Sequence, residues 1–180
     1  MHIRTKGRIA GLAIFGAAFL ATNAFPSTGP VSAATGDDVV LYSGGDDRMI
    51  AAQDAAQKHF SRFLDHVLND LGQARADAAV KVAIPLEGDA GTEVIWVTPF
   101  AIRDGLFIGA LANDPHFLTG LFAGDVIAFD GNQVRDWSFY GPDGKMYGSY
   151  TTRVILADLT PNHAARIRAL LSPDPLPSDW

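Results

Sequence analysis

The stretch Thr92-Glu93-Val94-Ile95-Trp96-Val97-Thr98-Pro99-Phe100-Ala101-Ile102-Arg103-Asp104-Gly105-Leu106-Phe107-Ile108-Gly109-Ala110-Leu111 decides the reading of this chain. Thr92 to Ala101 carries β-branched and aromatic residues, which suit a pleated, half-buried surface, and Leu106 to Leu111 is a second apolar run. Between them Arg103-Asp104-Gly105 supplies the Asp-Gly pair that tolerates the positive φ of a tight turn, so the stretch predicts an antiparallel hairpin. Just upstream, Val80, Val82 and Ile84 alternate with Lys81, the period of a half-buried strand beginning near Ala79. Downstream, Val126 to Phe129 and Gln133 to Tyr140 flank Asp130-Gly131-Asn132 and read as a second hairpin, closed by the turn Gly141-Pro142-Asp143-Gly144. In Met146 to Leu159, residues Thr151, Thr152, Val154 and Ile155 favour a strand or an irregular start, although Leu156-Ala157 would suit a helix.

Helical spacing dominates elsewhere. Ala52, Ala55, Ala56, Phe60, Phe63, Leu64, Val67, Leu68 and Leu71 recur at intervals that predict one amphipathic helix from about Asp47 to Leu71, with Asp46 or Asp47 as its N-cap. Thr160-Pro161 opens a second, shorter helix with Ala164, Ile167, Leu170 and Leu171 on its apolar face. Pro173, Pro175 and Pro177 end it and leave an extended tail, residues 173–180. These elements add up to an α+β domain over residues 47–172. Its core is a mainly antiparallel, curved sheet of about five or six strands with a long N-terminal and a short C-terminal helix.

The first 33 residues read differently. Arg4, Lys6 and Arg8 precede an uncharged apolar run from Ile9 to Ala21, and Val31-Ser32-Ala33 offers a small-residue cleavage site. That order describes a secretory signal, and the run is shorter than the ~20 residues of a membrane-spanning helix. A periplasmic or secreted protein is expected, with no stable membrane anchor after cleavage, and residues 34–46 form a polar, glycine-bearing lead-in. Removing the signal takes away three cations and no acid, leaving 20 acids and a net charge of about −9. So acidic a chain, without a basic cluster, is a poor partner for nucleic acid or anionic lipid. The absence of Cys rules out disulfides, a thiol nucleophile and thiolate metal sites.

No stretch carries a specific catalytic motif, and no cofactor or metal is expected. His59 and His66, beside Asp65, supply only half a metal shell. Asn113-Asp114-Pro115-His116 places an imidazole near a carboxylate, but the hydroxyls Ser138, Ser149 and Thr151 lie in no Gly-x-Ser-x-Gly elbow. Asp125 and Asp136, with Glu93 on another strand, are paired-carboxylate candidates, although an Asp in a strand is more often a hydrogen-bonding device that accepts from Arg or backbone amides; Arg153 is a candidate to fork onto Asp136 or Glu93. Structural pinning by Arg153 competes with a ligand groove in which Trp96 and Trp137 join the tyrosines. The expectation is a non-enzymatic module that binds a protein or envelope ligand through Trp96, Asn113, Asp136, Trp137, Tyr150 and Arg153. The alternative is a hydrolase-like envelope enzyme using His116 with Glu93 or Asp136.

The ordered set Asp47-x-Met49, Lys81-Val82, Glu93-x-x-Trp96-Val97, Gly109-x-Leu111-x-Asn113-x-Pro115, Gly124-Asp125, Asp136-Trp137 and Gly148-x-Tyr150-Thr151-x-Arg153 resembles the YegJ-like bacterial family, domain of unknown function twenty-three fourteen. The resemblance runs from about Asp46 to Leu171 and implies an α+β domain without an assigned activity. The Gly-Asp and Asp-Trp portion is also distantly similar to domains proposed as immunity proteins in bacterial toxin systems.

Overall fold

The computed structural model describes residues 46–88 and 91–180. The expected signal, residues 1–33, and nearly all of the lead-in lie outside the described residues. Asp46 caps the first helix, its side chain accepting from Arg48 N at 2.9 Å. Helix α1 spans Asp47–Lys58 and α2 spans Phe60–Val67. This corrects the expectation of one helix to Leu71. At His59 the backbone leaves the helical region, with φ −109° and ψ 7°, and the helix turns before resuming. Beyond Val67 the chain bends back, Leu68 bridges Ala74, and Leu71 is exposed. Periodicity alone could not see either event, because the apolar spacing continues through both.

Six strands form one antiparallel sheet: β1 Ala78–Pro85, β2 Thr92–Arg103, β3 Leu106–Leu111, β4 Val126–Phe129, β5 Val134–Tyr140 and β6 Met146–Gly148, in the order β4-β3-β2-β1-β5-β6. The hairpin over residues 92–111 forms as expected, Arg103 facing Leu106 across Asp104 at φ 51° and Gly105 at φ 82°. The second expected hairpin does not form. β4 pairs with β3 and β5 pairs with β1, so Asp130-Gly131-Asn132 is a crossover whose middle, Gly131–Gln133, is one 3-10 turn.

That crossover dictates the shape of the sheet. In a flat sheet the first and fifth strands stand about 19 Å apart, four spacings of ~4.8 Å, whereas the chain from Phe129 to Val134 reaches only about 14 Å through a 3-10 turn. The sheet must therefore curl until β4 and β5 approach. Irregularities in register between Val97 and Phe100, where Pro99 lacks a ladder N–H, and between Lys81 and Val82 give it the bends. At the first of these, Gly109 lets the strands close up. A Cβ there would lie 2.5 Å from Val97 Cγ1 and 2.9 Å from Phe100 Cβ.

α1 and α2 pack into the hollow so made. Ala52, Ala56, Phe60, Phe63 and Val67 are buried against Val80, Val82, Ile95, Val97, Phe100, Val134 and Trp137. A continuous series of rings runs through the core from Phe129 to Phe107, Phe60, Phe63 and Trp137, with neighbouring centroids 4.9–6.1 Å apart. Trp137 is fully buried, and its indole N–H donates to Ala56 O at 2.8 Å, satisfying the one polar atom it brings inside.

The strand expected over 146–159 lasts three residues and gives way to helix α3, Tyr150–Ile155; α4 follows at Pro161–Leu170. The switch has a local cause. Gly148 at φ 70° and Ser149 at φ 53° turn the chain off the sheet, and the amides of Tyr150 and Thr151 then find a side-chain acceptor in Asp136. Residues 171–180 fold back along β6. Ser172 N donates to Met146 O, Gly148 N donates to Pro175 O, and Trp180 packs on Trp137 and Phe139.

Candidate functional site

Two buried carboxylates on the sheet each organise a segment that crosses its rim. The first is Glu93 in β2. Its Oε1 accepts from His116 N at 2.6 Å, and its Oε2 accepts from Phe117 N at 2.8 Å and Leu118 N at 3.0 Å. Two more carboxylates close the same loop, which joins β3 to β4. Asp114 Oδ1 accepts from Ala123 N at 2.9 Å, and Asp125 Oδ2 accepts from Phe122 N at 2.8 Å. Charged acceptors make stronger bonds to amides than neutral ones do, so these five bonds fasten the loop's main chain through carboxylates alone. The loop presents two large apolar side chains outward beside the exposed Asp114, His116 and Thr119: Phe117 is 54% exposed and Phe122 65%, and Val126, at the start of β4, is 68% exposed.

Asp136 in β5 is the second. Oδ1 accepts from Trp137 N at 2.8 Å and Tyr150 N at 3.1 Å, and Oδ2 accepts from Thr151 N and Thr151 Oγ1, each at 2.7 Å. Its side chain is fully buried on the face of the sheet opposite Trp137. Burial pushes its pKa up, against the pull of Thr151, Trp137 N and Lys81. Lys81 of β1 sits opposite Asp136 of β5 on one side and Trp96 of β2 on the other. Its Nζ lies 3.3 Å from Thr151 Oγ1 and 5.5 Å from the Trp96 ring centroid, and desolvation lowers its pKa while Asp136 opposes the shift.

Arg153 pairs with neither Asp136 nor Glu93, which corrects the expected fork. Its Nε donates to Gly148 O at 3.0 Å and its Nη1 to Ser172 O at 2.8 Å, so it fastens β6 to the segment returning from α4. It pins, but through backbone carbonyls. The Tyr150 ring meets Trp137 edge-on, and its hydroxyl pKa is pushed up to about 12, chiefly by burial and further by Asp136.

The six residues expected to line a groove therefore divide. Asp136, Trp137, Tyr150 and Arg153 meet at the β5–β6–α3 corner, where they hold backbone and core. Trp96 stands two strands from Asp136 in the row Trp96–Lys81–Asp136, with Lys81 between them, and Asn113 lies beyond it, where Ala112 N donates to Trp96 O and Asn113 Nδ2 donates to Asp114 O. Glu93 meets the backbone of His116 and not its imidazole. Among the described residues no group of three or more His, Asp or Glu is placed to hold a metal ion, and no helix is long and apolar enough to cross a membrane. Sequence reasoning passed over Phe117, Phe122 and Val126. The available signal was charge: from Asp104 to Val134 the chain has four Asp and neither Lys nor Arg.

Comparison with known proteins places this architecture. The chain is 31% identical over 132 residues to "Uncharacterized protein YegJ" of Escherichia coli (strain K12), covering 73% of this chain and 83% of that one. It is 29% identical over 132 residues to "Putative ankyrin repeat protein NMB1133/NMB1171" of Neisseria meningitidis serogroup B, covering 69% of this chain but only 51% of that longer protein. No solved structure matches. The family model described as "Uncharacterized protein conserved in bacteria (DUF2314)" matches residues 46–169, from the N-cap of α1 to the last turn of α4. With most of its length matched, from the first described helix to the last, the chain belongs to this DUF2314 family of YegJ-like bacterial proteins.

Proposed function

We propose that the protein is an exported, non-enzymatic module that binds a partner protein through the apolar face presented by the β3–β4 loop. One observation carries the reading. Three carboxylates, Glu93, Asp114 and Asp125, hold the main chain of a loop that leaves Phe117 and Phe122 in solvent. Exposed aromatics held on a rigid backbone are the usual anchors of protein interfaces, since little side-chain or loop entropy remains to be lost on binding. Export rests on Arg4, Lys6, Arg8, the run Ile9 to Ala21 and Val31-Ser32-Ala33.

The hydrolase alternative finds less support. Both oxygens of Glu93 are engaged by amides, Asp136 is enclosed, and the His116 ring meets neither carboxylate. The test is a photo-crosslinking residue placed at Phe122 in cells making the full chain, with a control at exposed Arg62 on α2. A discrete adduct from position 122, lost when Glu93→Ala frees the loop, is expected. Equal labelling from both positions, or none from 122, overturns the reading. Sequencing the N-terminus of the protein recovered outside the cytoplasm tests export, with Ala34 expected as the first residue.

A further inference from the structure

We propose that the outer edge of β4 receives an extended strand of a partner protein that alternates basic and apolar residues, with Phe122, whose backbone is tied to Asp125 just before β4, gripping its apolar side. This rests on the binding reading above and names the form and chemistry of what is bound.

The main-chain geometry comes first. Leu111 N donates to Asp125 O at 2.9 Å while Leu111 O accepts from Gly124 N at 2.8 Å, so Gly124, at φ 89°, and Asp125 form a bulge opposite Leu111 at the head of the β3–β4 ladder. Antiparallel ladders alternate, so Gly109–Ile127 and Phe107–Phe129 are the next hydrogen-bonded pairs in the register. The N–H and C=O groups of Val126 and Ala128 then point away from β3, toward the side on which residues 130–133 cross to β5, and none of the described strands pairs with them. Sheet edges in native proteins are ordinarily blunted by Lys, Pro, a bulge or covering chain. The other end of this sheet follows that rule, because residues 171–175 bond along β6. Val126-Ile127-Ala128-Phe129 has neither Lys nor Pro, its bulge lies ahead of it at Gly124-Asp125, none of the described strands pairs with its outer edge, and Val126 is exposed.

Charge chooses among occupants. Asp125 and Asp130 bracket β4, and the nearest sequence cation, Arg135, is turned onto Asn132 O in the crossover at 2.7 Å, so the two carboxylates at the strand's ends favour a basic strand. A second copy of the chain is disfavoured by the same residues. Self-pairing of β4 in the antiparallel sense sets Asp125 beside Asp130 of the other copy at both ends, like charge against like. Recognition by added strand takes its affinity from main-chain bonds and its selectivity from alternate side chains.

The experiment uses the full mature chain and end-blocked eight-residue peptides alternating Lys with Val or Glu with Val. Titration by calorimetry and amide hydrogen exchange are read together. The Lys–Val peptide is expected to bind and to slow exchange at Val126 and Ala128, and the Glu–Val peptide to bind at least tenfold more weakly. Raising the salt weakens the Lys–Val complex. Ala128→Pro removes an outward N–H without touching the β3 ladder, a substitution that edge strands tolerate, and should abolish binding. Phe122→Ala, which leaves the edge intact, should weaken it by about tenfold or more. Equal affinity for both peptides, no binding of the Lys–Val peptide, or protection outside Val126–Phe129 overturns the proposal. So does a concentration-dependent dimer that protects the same amides. If the peptides fail while position 122 still crosslinks a partner in cells, the strand reading falls and the binding reading stands.

Discussion

Replacing Glu93 by Gln tests the device on which the functional reading depends. The carboxylate receives three amides at 2.6, 2.8 and 3.0 Å, and a bond to a charged acceptor contributes ~1.5–3 kcal/mol against ~1 for a neutral one. Gln keeps one acceptor oxygen. Placed where Oε2 stood, it retains Phe117 N and Leu118 N as neutral bonds, while its NH2 group confronts the N–H of His116. One bond is lost and two are weakened, a gross cost of about 4 kcal/mol. The freed amides lie at the rim and regain water, which reduces the net cost to about 2–3 kcal/mol. At 1.4 kcal/mol per tenfold, the amides of residues 116–118 should exchange about 30–150 times faster. Native-state hydrogen exchange by NMR reads this directly. The thermal midpoint should fall by no more than about 10 °C, because the loop can open without moving the core. If the variant is folded and these amides exchange within threefold of wild type, Glu93 does not hold the loop and the rigid-anchor argument fails.

Asp136→Asn should be costlier, since two of the four bonds lose their acceptor in a place water does not reach; about 3–5 kcal/mol, read as a midpoint drop of about 10 °C or more, is expected. Gly148→Ala should fail to give soluble protein or should lose comparable stability, because the residue sits at φ 70° and a Cβ would lie 2.5 Å from Trp137 Cε3; a midpoint within 2 °C of wild type would contradict this. Lys81 has a lowered pKa, so the folded state favours its neutral form. The associated stability is present above the unfolded value near 10.4 and is lost as pH falls through the folded value. The midpoint of wild type relative to Lys81→Met should therefore rise as pH is taken from 7 toward 10. A difference that is flat or falling with pH would count against a desolvated ammonium.

The hairpin over residues 92–111 was legible because its signals are local: β-branched and aromatic residues in two apolar runs and, between them, an Asp-Gly pair able to take positive φ. Asp130-Gly131-Asn132 has the same turn chemistry and built something else. What decided its fate was nonlocal, since β5 has a better place beside β1, where Trp137 reaches Phe63 and Ala56 O. The run at Thr151 misled for a related reason. Its β-branched residues favour a strand, but Asp136, fourteen and fifteen residues away, satisfies the first amides of a helix. Among the site residues, their chemistry was visible and their partners were not. Asp136 was legible from its place in a strand as an acceptor for backbone amides as well as an acid–base candidate, and it is the acceptor; which amides it and Glu93 hold leaves no mark on sequence spacing. The exposed phenylalanines were hidden in a loop whose rigidity comes from three carboxylates brought together only by the fold.

The chain segment lying along β6 also governs what an open β4 edge can lead to. Filaments grow when a subunit offers two complementary surfaces, so that each addition exposes a fresh site for the next. Here one end of the sheet is occupied by the protein's own residues 171–175. A strand captured at β4 terminates the sheet instead of extending it, so a molecule with an unguarded edge can take one guest strand and still stay clear of endless assembly.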